Sequence, residues 1–212
     1  MPPYRETAYT VRRRAAMLSR LVTAARARFA AQGFAATTMQ QIVADAGTSV
    51  GNLYFYFANK DAVLRAVVAE IAAEIGAAID EAAATVPPGA GRLAVVIVAG
   101  GGITLEREQE MQRYLLDATQ PELRGVFLAN FSKHLAAFVA QRLPGANLAL
   151  LEAAWQGAIF RVGEAVVGGS ITVDAVELGR FLARWNLQAL GLTREEVEEA
   201  LAALDRWLAS RP

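Results

Sequence analysis

Residues 38–60 read TMQQIVADAGTSVGNLYFYFANK, and the caps and apolar residues of this segment predict the fold of the amino-terminal part of the chain. It begins with a capping box, because the Thr38 side chain can accept a hydrogen bond from the backbone of Gln41 while the Gln41 side chain accepts one from the backbone of Thr38. A second polar cap follows at Thr48 or Ser49. The pattern predicts two short helices joined by a tight Ala-Gly-Thr-Ser connection, which is a helix-turn-helix candidate.

The apolar residues of this stretch predict a small core. Leu53 and Phe57 lie four residues apart, so they share one face of the second short helix. We expect them to pack against apolar side chains from the preceding segments, namely Phe29, Phe34, Met39 and Ile42. Such a core would fix the two short helices relative to each other.

The second short helix also carries several small residues. Gly51 would let its backbone approach a groove wall without an intervening side chain. Ser49, Val50 and Asn52 are short enough for the helix to enter a DNA major groove about 12 Å wide. Asn52 can offer a donor and an acceptor to adenine, whereas Val50 can make only apolar contact, most readily with a thymine methyl.

The charge distribution also distinguishes the amino-terminal end. Residues 1–64 contain eight basic and three acidic side chains, a net charge of +5, and the chain as a whole is neutral, so the remainder carries −5. This asymmetry favours a polyanionic partner at the basic end, with a solvated basic helix face as the alternative. Arg5 and Arg12–Arg14 could form an arm along the DNA backbone or in the minor groove, although Arg5 fits a solvated tail equally well.

The order and spacing of residues across 17–68 resemble the DNA-binding domain of TetR-type transcriptional regulators. The residues that carry the resemblance are Leu21-Val22-Thr23-Ala24-Ala25, Phe29, Gly33-Phe34, Thr37-Thr38, Ile42, Ala46-Gly47, Ser49, Gly51, Leu53-Tyr54, Phe57 and Lys60. The resemblance implies an all-α protein with an amino-terminal three-helix DNA-binding domain at 1–58. A larger ligand-binding and dimerisation domain would occupy 59–212, with a connecting helix at 59–84.

We call the second short helix the reading helix, because its side chains would contact the bases. Phosphate contacts are expected around it, because helix amino termini carry free N–H groups and partial positive charge. Thr38 and Lys60 lie at two such termini, as in the family. The hydroxyls of Tyr54 and Tyr56 would add contacts, and Phe55 remains unassigned between core and surface. The full set of expected DNA-binding residues is Thr38, Gln40, Ser49, Val50, Gly51, Asn52, Tyr54, Tyr56, Lys60 and Arg12. Similar proteins often carry lysine where this chain has Val50, so the operator sequence cannot be carried over from the family.

Apolar residues recur at three- and four-residue spacing throughout the chain, which predicts about ten helices and no strands. Helix one is expected to end at Gly33, in a left-handed cap. The expected helices cover residues 11–32, 38–46, 49–55, 59–84, 92–105, 107–118, 121–142, 148–167, 174–190 and 193–209.

One stripe of the carboxyl-terminal part is aromatic and could line an apolar effector pocket. The same pattern is also typical of a plain core, and His134 equally fits a hydrogen-bonded interior residue. Three consecutive glycines at 100–102 indicate a kink, a close helix crossing or vacant volume, because glycine disfavours helix. The candidate ligand-binding residues are Gly101, Met111, Tyr114, Leu115, Phe127, Phe131, His134, Trp155 and Ile159.

Small residues at four-residue spacing on two later helices would permit close helix contact, and two such helices from each subunit would make a four-helix bundle. The resemblance likewise implies a homodimer. The candidate interface residues are Leu150, Ala154, Gly157, Ala158, Val176, Gly179, Ala183, Leu187 and Leu190. A two-fold dimer would place its reading helices about one DNA turn apart, on a palindromic operator.

Several other classes of protein are disfavoured. The chain has no Cys and one His, so it lacks thiolate sites and a histidine metal centre, and neither a metal nor another cofactor is expected. No catalytic motif is present, and the glycines at 100–102 are not followed by the Lys-Ser/Thr of a phosphate loop. The apolar stretch 93–105 is shorter than the roughly 20 residues of a membrane span, so we expect a cytoplasmic protein.

We therefore expect a ligand-responsive repressor that binds double-stranded operator DNA and is released by a small apolar or amphipathic effector. Whether it represses or activates does not follow from the residues. The alternative is a helical small-molecule-binding or interaction protein that has lost DNA binding, a possibility that Val50 keeps open.

Overall fold

A computed structural model describes residues 8–106 and 122–211, and over these residues the chain is entirely helical. Within them it forms nine helices: α1 Ala8–Ala36, α2 Met39–Asp45, α3 Val50–Tyr56, α4 Lys60–Ala84, α5 Ala90–Glu106, α6 Glu122–Arg142, α7 Leu148–Val167, α8 Ala175–Ala189 and α9 Arg194–Ala209. The all-α prediction is confirmed. The helix expected at 107–118 lies outside the described residues.

The chain divides into two compact units, Met1–Glu70 and Ile71–Pro212. The division falls inside α4 rather than before it, where the sequence placed the domain boundary. None of the described helices is both long and apolar enough to cross a membrane.

Polar caps set the helix starts, largely where the sequence predicts them. Thr38 and Gln41 form the complete capping box of α2. Ser49, rather than Thr48, caps α3 and accepts a hydrogen bond from the Asn52 backbone at 3.2 Å. Similar side-chain caps begin α4, α7, α8 and α9 at Asn59, Asn147, Asp174 and Thr193.

Helix α1 differs from the prediction at both ends. It begins at Ala8, so Arg12–Arg14 lie on its first turns and not on an extended arm. At Gly33 the helical path breaks with φ 82° and ψ 165°. This is a positive-φ extended conformation rather than the expected left-handed helical cap, and essentially only glycine adopts it without strain.

The core of the first unit is the predicted one. Leu53 and Phe57 of the α3 segment are buried, together with Phe29, Met39 and Ile42. Phe34 is half-buried, with its ring centre 5.5 Å from that of Phe29. Burying this many apolar side chains holds α2 and α3 against α1, because each contributes roughly 1.5–3 kcal/mol when removed from water.

Helix α5 forms the centre of the second unit, where every residue from 93 to 100 is buried against α6, α8 and α9. Glycines allow two close contacts. A Cβ atom on Gly179 of α8 would lie 2.7 Å from Val98 Cγ2, and one on Gly91 would lie 2.8 Å from the Ala203 Cβ. These helices therefore approach more closely than alanine would allow.

Candidate functional site

Helix α3 has one buried face, which fixes it to the first unit, and one face that is exposed to solvent. Leu53 is completely buried, whereas Tyr54 and Phe55 beside it are 53% and 65% exposed. Gly51 is also exposed, and a Cβ atom built on it would meet nothing within 4 Å. Two large aromatic side chains in water are unusual unless a partner covers them. The exposed face of α3 therefore carries Tyr54 and Phe55 beside Gly51, and a partner can approach the helix backbone at the glycine.

The start of α3 is polar and already ordered. The Asn52 amide nitrogen donates to Thr48 Oγ1 at 2.8 Å, which commits one of its hydrogens and orients the side chain. Ser49 is exposed, and Val50 is half-buried. Asn52 therefore retains its carbonyl oxygen and one amide hydrogen for an external partner.

Other predicted contact residues lie on the surface of the same unit. Thr38, Gln40 and Arg12 are exposed, and the Thr38 hydroxyl also takes part in the capping box of α2. Tyr56 is half-buried, and its ring meets that of Phe55 edge-on at 5.1 Å. Phe57 is core, as expected.

Lys60 requires a correction. Its ammonium donates to the carbonyl oxygens of Phe34 at 2.8 Å, Thr37 at 2.9 Å and Ala35 at 3.3 Å. An ammonium has three hydrogens, so all of them are matched to backbone acceptors. A phosphate contact would require at least one of these bonds to break, and Lys60 therefore serves to tie the end of α1 to the start of α4.

Other basic residues of the first unit also hold helices together. Arg20 donates to the Ala46 carbonyl and, at 3.4 Å, to that of Gly47. Arg28 pairs with Asp45 through two nitrogens, one at 2.7 Å, and this hydrogen bonding lowers the pKa of Asp45. Much of the basic excess counted in the sequence is thus engaged in the fold. The sequence contained no local sign of this, because the partners lie 17–27 residues away.

In the second unit, the predicted ligand residues are only partly described. Met111, Tyr114 and Leu115 lie outside the described residues, as do the surroundings of Gly101 and the side chain of Phe127. Phe131 and Trp155 are buried, with ring centres 6.2 Å apart and nearly perpendicular. Ile159 is half-buried. The structure thus brings one aromatic pair of the predicted stripe into direct contact.

The glycine run provides a close crossing at its first position. A Cβ atom on Gly100 would lie 2.1 Å from Phe131 Cζ, so the phenyl ring occupies the space beside this glycine. The run does not kink α5, which continues unbroken to Glu106. At Gly100 the expectation of a kink or vacant volume is therefore wrong, and Phe131 packs there as a core residue.

Trp155 has an unusual polar atom. Its indole Nε1 is buried and has no hydrogen-bond partner among the residues that the structure describes. An unpaired buried donor costs roughly 1–3 kcal/mol, so such atoms are rare in folded proteins. This donor is the clearest polar feature of the aromatic pair.

His134 lies in a charged cluster. Its Nε2 is 3.0 Å from Asp80 Oδ1, and Lys133 Nζ is 2.5 Å from Asp80 Oδ2. Partial burial lowers the pKa of His134, and the opposing effect of Asp80 does not overcome it. The two α6 residues thus bind α4 through one carboxylate, as the hydrogen-bonded alternative for His134 predicts.

The candidate interface residues divide into two groups. Leu150, Ala154, Gly157 and Val176 are exposed, and Ala158 is half-buried. Gly179, Ala183, Leu187 and Leu190 are buried inside the unit, so they are unavailable to a partner and their assignment is corrected. The exposed face of α8 instead carries Phe181 and Trp185, which are 57% and 44% exposed. Their four-residue spacing places them on one helix face, and this was the signal in the sequence that could have indicated the exposed side of α8.

Comparison with known proteins agrees with this geometry. Residues 21–67 match the family model for bacterial regulatory proteins of the tetR family. None of the curated proteins matches the sequence.

Several solved structures share the fold. The transcriptional regulator FadR from Bacillus subtilis, in complex with stearoyl-CoA, is 20% identical, with a TM-score of 0.64 over 79% of this chain and 96% of its own. RolR in complex with resorcinol is 20% identical, with a TM-score of 0.65 over 95% and 96%. SmeT, the repressor of the Stenotrophomonas maltophilia efflux pump SmeDEF, is 20% identical, with a TM-score of 0.62 over 81% and 89%. At such identity the likeness concerns the fold, while the family match covers the unit that contains α2 and α3. Taken together, these findings show that residues 21–67 are similar to bacterial regulatory proteins of the tetR family and that the chain shares the fold of solved transcriptional regulators.

Proposed function

We propose that the protein is a ligand-responsive regulator that binds a palindromic operator through α3. The observation that carries this proposal is the exposed face of α3, held in place by the buried Leu53 and Phe57. A helix of this kind fits the major groove, where each base pair presents a distinct pattern of donors and acceptors.

Base recognition would use the start of α3. Asn52 would face adenine or cytosine with its free carbonyl oxygen, since both bases offer an amino donor in the major groove. Val50 would contact a thymine methyl, and Gly51 would admit the backbone close to the bases. The bond from Asn52 to Thr48 supports this role, because an ordered amide loses less entropy on binding.

Backbone recognition would use the surrounding surface. Tyr54 and Tyr56 offer hydroxyl donors, and Thr38, Gln40 and Arg12 add exposed polar or charged groups. Such contacts position a protein on the duplex but carry no sequence information directly. Lys60 is left out of this set, since its hydrogens are bonded within the unit.

The regulator would act as a homodimer through α7 and α8. The proposed face combines the exposed residues of the sequence prediction with the two exposed aromatics: Leu150, Ala154, Gly157, Val176, Phe181 and Trp185. Aromatic residues are enriched at the centres of interfaces, where they contribute most of the binding energy. A two-fold dimer would present two copies of α3 to half-sites about one helical turn apart.

The effector would bind in the second unit near Phe131 and Trp155. FadR was solved with stearoyl-CoA and RolR with resorcinol, so this fold accommodates both a long acyl chain and a small phenol. We propose an apolar or amphipathic effector that favours an arrangement unable to bind DNA and so relieves repression. Such coupling is typically worth about 1–3 kcal/mol.

DNA selection tests the proposal. A duplex pool with a random centre would be enriched on the purified protein, and binding of the selected duplex would be measured by fluorescence anisotropy. We expect an inverted repeat. Asn52→Ala should weaken binding about tenfold, because each good base contact contributes about 1–3 kcal/mol of discrimination. Glu199→Gln, an exposed change in the second unit, is the control. Failure to enrich any duplex at low salt would refute DNA binding and favour a helical ligand-binding protein.

The dimer is tested separately by light scattering. Phe181→Glu should yield monomers, because a charge in the centre of an apolar interface is left unpaired. Val126→Glu is the matched control, since Val126 is an exposed apolar residue of α6 outside the proposed face. Dimers of unchanged stability in Phe181→Glu would place the interface elsewhere.

A further inference from the structure

Thr48 lies in the turn between α2 and α3, and both its backbone and its side chain make hydrogen bonds. Its backbone nitrogen donates to the Val43 carbonyl oxygen of α2 at 3.0 Å. Its hydroxyl oxygen accepts a hydrogen bond from the side-chain nitrogen of Asn52 at 2.8 Å. Thr48 therefore connects the amide group of Asn52 to the end of α2.

The turn that carries Thr48 is also bonded to α1. The Arg20 guanidinium donates to the carbonyl oxygen of Ala46 and, at 3.4 Å, to that of Gly47. Gly47 has φ 60°, a conformation that glycine adopts without strain, and its nitrogen donates to the Ala44 carbonyl oxygen at 3.2 Å. These bonds fix the turn, so the hydroxyl of Thr48 is a firm support for a side chain that reads DNA.

Asn52 is bonded through both of its nitrogens. Its backbone nitrogen donates to Ser49 Oγ at 3.2 Å, and its side-chain nitrogen donates to Thr48. The side-chain carbonyl oxygen accepts no hydrogen bond from the described residues, and it is not one of their buried unpaired atoms. The bond to Thr48 thus holds the nitrogen at the turn and leaves the oxygen as the acceptor that a partner can reach.

We propose that Thr48 determines which bases Asn52 selects, because it holds the amide nitrogen and so makes the carbonyl oxygen the group that meets the DNA. The inference rests on the proposed function and adds a specificity-determining residue to it. Thr48 acts through Asn52, so it is a positioning residue.

An asparagine without such a support could present either end of its amide to a base. The oxygen accepts and the nitrogen donates, and rotation about one bond exchanges them. In the major groove adenine and cytosine offer amino donors, whereas guanine and thymine offer only acceptors. An amide that turns freely would bond to either kind of base and would distinguish them poorly. An amide held by its nitrogen presents an oxygen that requires a donor.

The test uses the full chain and the duplex selected by the wild-type protein. The base pair that Asn52 reads is the one whose replacement weakens binding of the wild type but not of Asn52→Ala. Affinities for all four base pairs at this position would be measured by fluorescence anisotropy for Thr48→Val, Thr48→Ser and the combination of Thr48→Val with Asn52→Ala. Thr23→Val, a change of an exposed threonine on α1, is the control. Thermal melting would verify that each variant is folded.

We expect the wild type to prefer adenine or cytosine about tenfold over guanine and thymine at this position, in the range for one base contact. Thr48→Val is nearly isosteric but lacks the hydroxyl, so it should reduce the preference to about threefold or less, as the loss of one hydrogen bond predicts. Preferences at other positions should not change. Thr48→Ser should retain the preference, and the combined variant should discriminate within about twofold of Asn52→Ala, because the two residues act as a unit.

Three results would overturn the inference while leaving DNA binding intact. The first is an undiminished preference in Thr48→Val. The second is an equal loss of preference in Thr48→Ser and Thr48→Val, which would assign the effect to the shape of the turn rather than to the hydroxyl. The third is a wild-type preference for guanine or thymine, which would mean that the amide nitrogen faces the base. A wild-type protein that selects no duplex would instead refute the proposed function.

Discussion

Lys60 Nζ donates to the Phe34 carbonyl oxygen at 2.8 Å and lies 4.4 Å from the centre of the Phe34 ring. The Lys60 ammonium thus binds backbone carbonyl oxygens that follow the non-helical residue Gly33, and it also makes a cation–π contact with the Phe34 ring. Because Lys60 opens α4, this contact joins the chain before α2 to the chain after α3. The two short helices are enclosed between the two joined segments.

Lys60→Met should therefore destabilise the first unit. The change keeps an apolar stem but leaves three carbonyl oxygens without their donor, and we expect a loss of about 2 kcal/mol, in the range for bonds to charged groups. Urea denaturation followed by circular dichroism measures it. Arg65→Met, an exposed change on the same helix, should have little effect. Unchanged stability with a reduced salt slope for DNA binding would restore the phosphate contact expected from the sequence.

Gly179→Ala should destabilise the second unit by about 1–2 kcal/mol, because the new methyl group would overlap Val98 and only part of the cost is offset by better helix propensity. Val98→Ala should relieve the overlap, so the double variant should lose less than the sum of the two changes. Gly163→Ala is the control, since a Cβ atom there meets nothing within 4 Å. Equal stabilities of the Gly179 and Gly163 variants would contradict the close contact of α5 and α8.

Trp155→Phe should leave the stability of the unliganded protein within about 1 kcal/mol of wild type. The change removes packing atoms, which is unfavourable, but it also removes an unpaired donor that costs a comparable amount. Trp207→Phe, another buried tryptophan whose nitrogen is not among the unpaired buried atoms of the described residues, should lose more. A larger loss at Trp155 than at Trp207, measured by chemical denaturation, would mean that the indole N–H has a partner.

Acidification should destabilise the second unit, beginning below pH 6.5. The pKa of His134 is lowered from its ordinary value of 6.5, mainly by burial, with Asp80, Lys133 and Arg92 as its charged neighbours. The unfolded chain therefore binds a proton more readily than the folded one, and stability falls as pH drops from 6.5 towards the folded pKa.

A second decline should follow below pH 3.8, because the Lys133 hydrogen bond lowers the pKa of Asp80 beneath that value. Thermal melts across pH 3–8 measure both effects. His134→Gln should abolish the decline that begins near pH 6.5 and retain the later one. A wild-type protein whose stability rises on passing from pH 7 to pH 5 would contradict the direction of the His134 shift.

Local signals predicted the helices well. The capping box at Thr38 and Gln41 and the caps at Asp174 and Thr193 begin helices in the structure, because a cap depends only on residues three positions apart. Helix α7 has the predicted bounds, Leu148–Val167. Periodicity likewise identified the buried residues Leu53 and Phe57.

Long-range contacts were less predictable. Small residues on α8 were assigned to a subunit interface, yet Gly179 packs against Val98 of α5 in the same chain and Ala183 is buried. The pattern of small residues shows that some helix approaches closely, but not which one. Exposure of Phe181 and Trp185 became evident only when the inward face of α8 was known.

Caps and apolar spacing alone were enough to predict the helices and the small core of the first unit, and residue order in 17–68 indicated the resemblance to the TetR family. These depend on neighbours within a few turns, and the spacing of residue types records such neighbours directly. Which charged side chains are hydrogen-bonded within the first unit, and which face of α8 is exposed to solvent, became known only from the folded chain. The ammonium of Lys60 meets carbonyl oxygens 23–26 residues away, and nothing in the local pattern encodes a contact made by folding the chain back on itself.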